Sequence, residues 1–244
     1  MALLFNGSTD YLEQAVAVFG STGATPCSFA FWFKPTNNTG TQTIMCTGSN
    51  GSNTDYINAR TASGVFTTVF DGATGNNQAS TTPTTATVGS WNHIVATYTS
   101  RSSTAIYLNG VAGGASSGTA SAYSDLAQTL IGALLSANAI SQFANGAVAY
   151  PAAWNNVALT QAQVTTLYNS GSGFDPRNLS GAAPNASFSL LQTATAPPDS
   201  VTGNNWTVHG SPSLVADPFS LGNAVPSVSN VAASSITATS ATFN

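Results

Sequence analysis

Apolar residues recur at alternate positions along most of this chain, and Gly, Pro, Asn, Ser and Thr interrupt them at short intervals. That rhythm predicts short strands joined by turns, as in sandwiches and jelly rolls. SFAFWFKP at 28–35 is the clearest case. It sets Phe29, Phe31 and Phe33 on one face and Ala30 and Trp32 on the other, so both faces are apolar. Such a strand is central, with a layer packed on each side. A β-rich run, HIVATY, follows Trp91. Next comes AIYLNGV at 105–111, whose Asn109-Gly110 pair predicts a hairpin turn with positive φ at both positions. The stretch 147–171, AVAYPAAWNNVALTQAQVTTLYNSG, changes period. A strand and a sharp turn lead into a short helix. Thr160 and Gln163 read as a capping box, with Leu159 and Val164 as a hydrophobic staple. Val164, Leu167 and Tyr168 share one face, and Gly171 is the expected stop.

Composition narrows the partners. The chain has 244 residues, 42% hydrophobic, enough for one sizeable β-sandwich and a little more. Only 5% of residues are charged, against about 25% in typical soluble domains. The cations are Lys34, Arg60, Arg101 and Arg177, and the net charge is −4. Nucleic-acid binding needs clustered Lys and Arg, so it is excluded as a reading, as is an anionic membrane surface. Ser, Thr, Asn and backbone must solvate the surface. Such a surface is nearly indifferent to salt and lacks repulsion between neighbours, which suits a packed extracellular assembly. No apolar run approaches the roughly 20 residues of a membrane span. No signal-peptide pattern precedes the first strand phrase at Leu3.

Several phrases, in order, carry a resemblance. LLFNGSTDYLE (3–13), SFAFWFKP, GSWNHIVATY (89–98), AIYLNGV, LIGA (130–133), FANG (143–146) and the 147–171 segment are similar to those of laminin-G-like domains of the concanavalin A-like lectin/glucanase superfamily. The later GFDPRNL…ASFSLL…PPDSVTGNNWTVHGSPSLVADP segment resembles a tail found on bacteriophage and prophage members. The resemblance implies an all-β concanavalin A-like jelly roll over 1–220, with one short helix near 160–170. Residues 221–244 read as a linker followed by either the first two strands of a fibronectin type III-like domain or a disordered tail.

The resemblance raises chemistry to check. Glycosidases need two carboxyl groups across the scissile bond. Glucanases of this superfamily carry a Glu-x-Asp-x-(x)-Glu phrase, whereas this chain has one glutamate, Glu13, and no two carboxylates two residues apart. Gly114-Ala115-Ser116-Ser117-Gly118 matches a nucleophile elbow in letters. It lies in a Gly/Ser/Ala-rich loop, without the strand-to-helix turn that exposes such a serine. His93 and His209 show no zinc-ligand spacing with Cys27 and Cys46, and His93 is expected to be packed and hydrogen-bonded. A hairpin folded around 36–42 would set Cys46 opposite Ala30, too far from Cys27 to bridge, so free thiols are expected. Laminin-G-like relatives often bind calcium at the sandwich rim. Asp55 and Asp10 are the candidates here, beside the simpler role of bonding their own turns. Sugar contact needs aromatics flanked by amides. Trp154 with Asn155, and Trp206 with Asn205, have that company, while Trp32 and Trp91 fall in strands.

Together these readings imply a non-enzymatic virion surface protein of a tailed phage: a capsid decoration, head-fibre or tail-associated component. Its partners would be other virion proteins or sister subunits, and host glycans where it makes contact. The alternative is a carbohydrate-binding module of a secreted bacterial protein. The expected locations are the virion surface and the extracellular space respectively.

Overall fold

The structure is a computed structural model. It describes residues 2–23, 25–51, 54–72, 77–114, 116, 118–123, 125–184, 186–187, 201–203 and 206–219, with 77–83 and 186–187 described by backbone alone. The expected linker and fibronectin-like strands after 220, and Asn205, lie outside these residues.

The strands are β1 Ala2–Asn6, β2 Tyr11–Gln14, β3 Cys27–Pro35, β4 Thr41–Ser49, β5 Tyr56–Ala62, β6 Val65–Asp71, β7 Asn77–Thr85, β8 Asn92–Ser100 and β9 Ser103–Leu108. There follow β10 Val111–Ala112, β11 Leu126–Ile131, β12 Leu134–Ser136, β13 Ala139–Ser141, β14 Asn145–Asn155, β15 Ala186–Ser187, β16 Thr207–His209 and β17 Ser213–Val215. Sheet A runs β10-β9-β8-β3-β14-β1-β17, with β15 also on β14. Sheet B runs β16-β2-β11-β4-β5-β6-β7, and β12–β13 pair as a separate hairpin. The two sheets pack face to face as a concanavalin A-like jelly roll.

Side-chain alternation decides what each face meets. Phe29, Phe31 and Phe33 point between the sheets, where they join Phe5, Phe66, Phe70, Tyr98 and Ile131 in the main core. Ala30 points outward and is covered by the helix, and Trp32 joins a second outer cluster. The expected central strand is therefore central, flanked by β8 and β14.

The expected β3–β4 hairpin does not form. β3 lies in sheet A and β4 in sheet B, so residues 36–40 cross between layers. Cys27 consequently sits in the inter-sheet core and Cys46 on the outer side of sheet B. Both thiols are free.

Helix α1, Gln161–Tyr168, lies on the outer face of sheet A. Its capping box is complete. Gln163 N donates to Thr160 Oγ1 (3.3 Å), and Thr160 N donates to Gln163 Oε1 (2.9 Å). Val164 and Leu167 are buried against Trp154, Val95 and Leu159. The helix ends two residues before the expected glycine stop. Asn169 takes the left-handed conformation (φ 47°) and donates its backbone N–H to Thr165 O. Asn tolerates that region because its short amide side chain can bond locally. Here Asn169 Nδ2 donates to Gly173 O.

The C-terminal tail segment closes both sheets. Leu214 pairs with Leu3 across β17–β1, and Val208 pairs with Leu12 across β16–β2. Among the described residues no helix is long and apolar enough to cross a membrane.

Candidate functional site

The sequence-predicted sugar residues are placed inside the protein. Trp154 is 0% exposed, and its indole Nε1 donates to Ala182 O at 3.0 Å beneath α1. Trp206 is 1% exposed and belongs to the inter-sheet core. Neither ring has an open face for a sugar, so stacking by these two tryptophans is corrected. Asn155 is half-buried at the end of β14. An indole beside asparagines has the same letters whether it faces solvent or a helix, and here the helix covers it.

The two calcium candidates stand apart, each in its own loop. Asp10 is 2% exposed, and its carboxylate accepts from Asn6 N (3.1 Å) and Ser211 N (2.9 Å), tying the β1–β2 turn to the C-terminal segment. Asp55 precedes β5, with β11 and β4 intervening between β2 and β5. Three strand spacings of about 4.8 Å separate them laterally, far beyond shared ligation of one ion. Among the described residues no three His, Cys, Asp or Glu converge to hold a metal.

The nucleophile-elbow letters also lack their context. Ser116 follows β10 in a loop, and its Oγ accepts from Thr104 N. His93 is packed as expected, in a triangle of rings with Trp32 (4.9 Å) and Tyr168 (6.0 Å), but the hydrogen bond expected with that packing is not made at Nδ1. Its Nδ1 is buried and has no hydrogen-bond partner, and burial holds its pKa down to about 3. It is a neutral core ring, hydrophobic in function.

The face that does gather polar and aromatic groups is the outer face of sheet B. Tyr11 on β2 and His209 on β16 are direct cross-strand partners, with rings 4.1 Å apart and 4° from parallel. Phe143 lies 6.2 Å from Tyr11, tilted 52° to it. All three are half-buried, so an aromatic stripe reaches solvent. Two residues along β2, Glu13 accepts a hydrogen bond from Gln128 Nε2 at 2.6 Å. Glu13 Oε2 is also 2.9 Å from His209 Nε2, off the hydrogen-bond axis, so that approach is electrostatic once the imidazole is protonated. Burial, then the Glu13 charge, raises the Tyr11 phenol, which stays a neutral donor and acceptor. The stripe assembles from the two ends of the chain, which is why no local phrase reveals it.

Across the same face, β5 presents Tyr56, Asn58 and Arg60 at alternate positions. Asp71 pairs with Tyr56 across β5–β6 and shares a side-chain hydrogen bond with it. Burial raises the Asp71 carboxyl, with the Asp55 charge adding to it, and burial pushes the Tyr56 phenol up to about 12. Among the described residues, Asp55 and Asp71 come nearest to a pair of glycosidase carboxyls. Both are buried, and Asp71 is tied to Tyr56. Between the two polar patches, hairpin β12–β13 lies over β4.

The fold matches known proteins. The family model Laminin_G_3, of the concanavalin A-like lectin/glucanases superfamily, matches residues 6–165. The structure is similar to a heptameric SAP-like pentraxin from Limulus polyphemus, with TM-score 0.59 and 19% identity over 86% of this chain and 94% of that one. It is also similar to a putative carbohydrate binding protein from Bacteroides ovatus, with TM-score 0.62 and 18% identity over 91% of this chain and 61% of that one. No curated protein matches the sequence. With two thirds of its length under one family model and the jelly roll in place, the chain belongs to the Laminin_G_3 family of the concanavalin A-like lectin/glucanases superfamily.

Proposed function

We propose that this sandwich is a non-catalytic carbohydrate-binding domain whose sugar face is the outer face of sheet B. The observation that carries this is the half-exposed Phe143–Tyr11–His209 stripe with Glu13 and Gln128 alongside. The exposed ring edges offer an apolar strip to a pyranose, while a carboxylate and an amide take its hydroxyls. The similar Bacteroides protein, named for carbohydrate binding, supports the same class. The absence of an open carboxylate pair among the described residues supports binding without hydrolysis.

The test is affinity electrophoresis through gels containing α-glucan, β-glucan, mannan, xylan or a uronic-acid polymer. At least one should retard the protein. Tyr11→Ala should weaken that retardation at least fivefold, about 1 kcal/mol, with thermal unfolding unchanged. No retardation in any gel, or equal retardation of the variant, would overturn the reading. Reducing-sugar and ester assays should stay at background. Turnover abolished by Glu13→Gln, Asp71→Asn or Ser116→Ala would make the domain an enzyme.

A second setting is favoured by the 5% charge content. A surface held in solution by hydroxyls and amides suits a domain fixed on a particle, as on a tailed-phage virion, where the sugar face would meet host glycans. Co-purification with particles distinguishes this from a secreted module.

A further inference from the structure

Hairpin β12–β13 rests on sheet B through an apolar underside. Leu134, Leu135 and Ile140 pack with Cys46, Tyr56, Val69 and Leu130. Within that footprint lies a polar side chain. Asn58 is flanked by Cys46 on β4 and Val69 on β6, and stands two residues from Tyr56. It is 0% exposed, and neither its Nδ2 nor its Oδ1 has a hydrogen-bond partner. Arg60, next on the same face, has a buried Nε without a partner. Groups buried in this way are strongly disfavoured unless something else satisfies them.

The cover is fastened at its exit and only lightly over its body. At the exit Thr43 on β4 donates its N–H to Gln142 O (2.7 Å) and its Oγ1 to Gln142 Oε1 (2.9 Å), a fixed base about which the hairpin can turn, whereas its body is tied by Asn138 N to Ser49 O (3.3 Å), Ser136 Oγ to Thr54 O (3.5 Å) and the Cys46 thiol to Leu135 O (3.8 Å). Its backbone is strained at the tip, where Ala137 has φ 48°, and at its exit, where Gln142 has φ 50°. It lies flush because β4 carries Gly48 beneath it, where a Cβ would collide with the Leu135 carbonyl oxygen.

We infer that β12–β13 is a flap that opens apart from the sandwich and uncovers a polar subsite, Asn58 and Arg60, for the hydroxyl groups of a bound sugar. The inference rests on the carbohydrate-binding reading above. Opened, Asn58 supplies two donors and an acceptor, and Arg60 supplies a further donor, the set that a pair of neighbouring hydroxyls engages. Closed, the same atoms are stranded, so ligand binding favours the open form.

The two cysteines report on the flap without any ligand. Cys46 lies under it and Cys27 lies between the sheets. The native full chain is treated with iodoacetamide and modification is followed by peptide mass spectrometry. Cys46 should react at least tenfold faster than Cys27. Gly48→Ala, which pushes on Leu135, should speed Cys46 further and leave Cys27 unchanged. Equal rates for the two thiols in the native protein would mean that both await global unfolding, and would overturn the flap. The subsite is tested with the polysaccharide that retards the protein. Asn58→Leu, with Arg60→Met as a second variant should the first misfold, should weaken retardation at least tenfold without lowering Tm. Unchanged retardation would overturn the subsite while leaving the carbohydrate reading standing. No retardation of the wild-type protein would remove both.

Discussion

Tyr150 and Phe219 stack face to face, with ring centroids 5.2 Å apart and planes 9° from parallel. Tyr150 is a bulge residue of β14 with φ 47°, a conformation an aromatic side chain seldom holds. The contact explains why it holds here. Its hydroxyl lies 3.0 Å from Asp217 Oδ2 and 2.9 Å from Phe219 O, within donating reach of either. Phe219 also meets Trp32 edge-on at 4.9 Å and fills space that a Cβ on Gly173 would occupy. The pair thus clasps the C-terminal segment onto the outer face of sheet A.

Phe219→Ala should lower stability by about 3 kcal/mol, the low end for aromatic truncation, since the ring is half-buried. Tyr150→Phe should lower it by about 1–2 kcal/mol by removing the hydroxyl's bond. Urea unfolding midpoints check both. Unchanged midpoints would mean that the clasp adds nothing to the fold.

Helix α1 makes a sharper pair of expectations. Thr160→Ala removes the cap and should cost about 1 kcal/mol. Leu167→Ala empties a buried position against sheet A and should cost about 2–5 kcal/mol. Equal, near-zero effects would show a helix that is not docked.

This helix was legible because its information is local. A cap, its reciprocal glutamine and an apolar face all lie within nine residues. The two-sided burial of β3 was legible for the same reason, since alternation is written in consecutive letters. What stayed hidden depends on which strand pairs with which. Nothing local distinguishes a turn at 36–40 from a crossing between sheets, so the letters alone place β4 beside β3 rather than opposite it. The Tyr11–His209 stack joins the second strand to the next-to-last, and no phrase holds both. Trp154 and Trp206 kept sugar-site company in sequence, and only the layer above each settles that they are core.

His93 sets an acid dependence whose sign can be worked out. Burial holds its folded pKa at about 3, against about 6.5 in an unfolded chain. As pH falls, the unfolded chain takes the proton first. The stability linked to His93 is complete above about pH 6.5 and is lost as pH falls from there towards 3, by about 1.4 kcal/mol per pH unit. The Asp71 carboxyl, raised by burial, acts in the opposite direction, favouring the fold below its folded pKa. The difference between wild type and His93→Leu therefore isolates the imidazole. The variant's unfolding free energy should fall less steeply between pH 6.5 and 4. Parallel profiles for the two proteins would show that His93 takes no part.

Association should be nearly independent of salt. Four cations and eight acidic residues serve the whole chain, and Arg177 is already paired with Asp175 at 2.6 Å. Little charge remains for ions to screen, so in the particle-bound setting proposed above the contacts would be apolar and hydrogen-bonded. Co-sedimentation with particles should change less than twofold between about 50 mM and 500 mM salt, whereas an ion-paired interface would weaken steeply over that range. The same assay locates the contact. β16, β17 and the Phe219 clasp all precede residue 222. Deleting 222–244 should therefore leave the melting temperature unchanged and weaken attachment. A lost fold would make those residues part of the sandwich. Undiminished attachment would move the contact onto the sandwich itself, with the outer face of sheet B the first place to mutate.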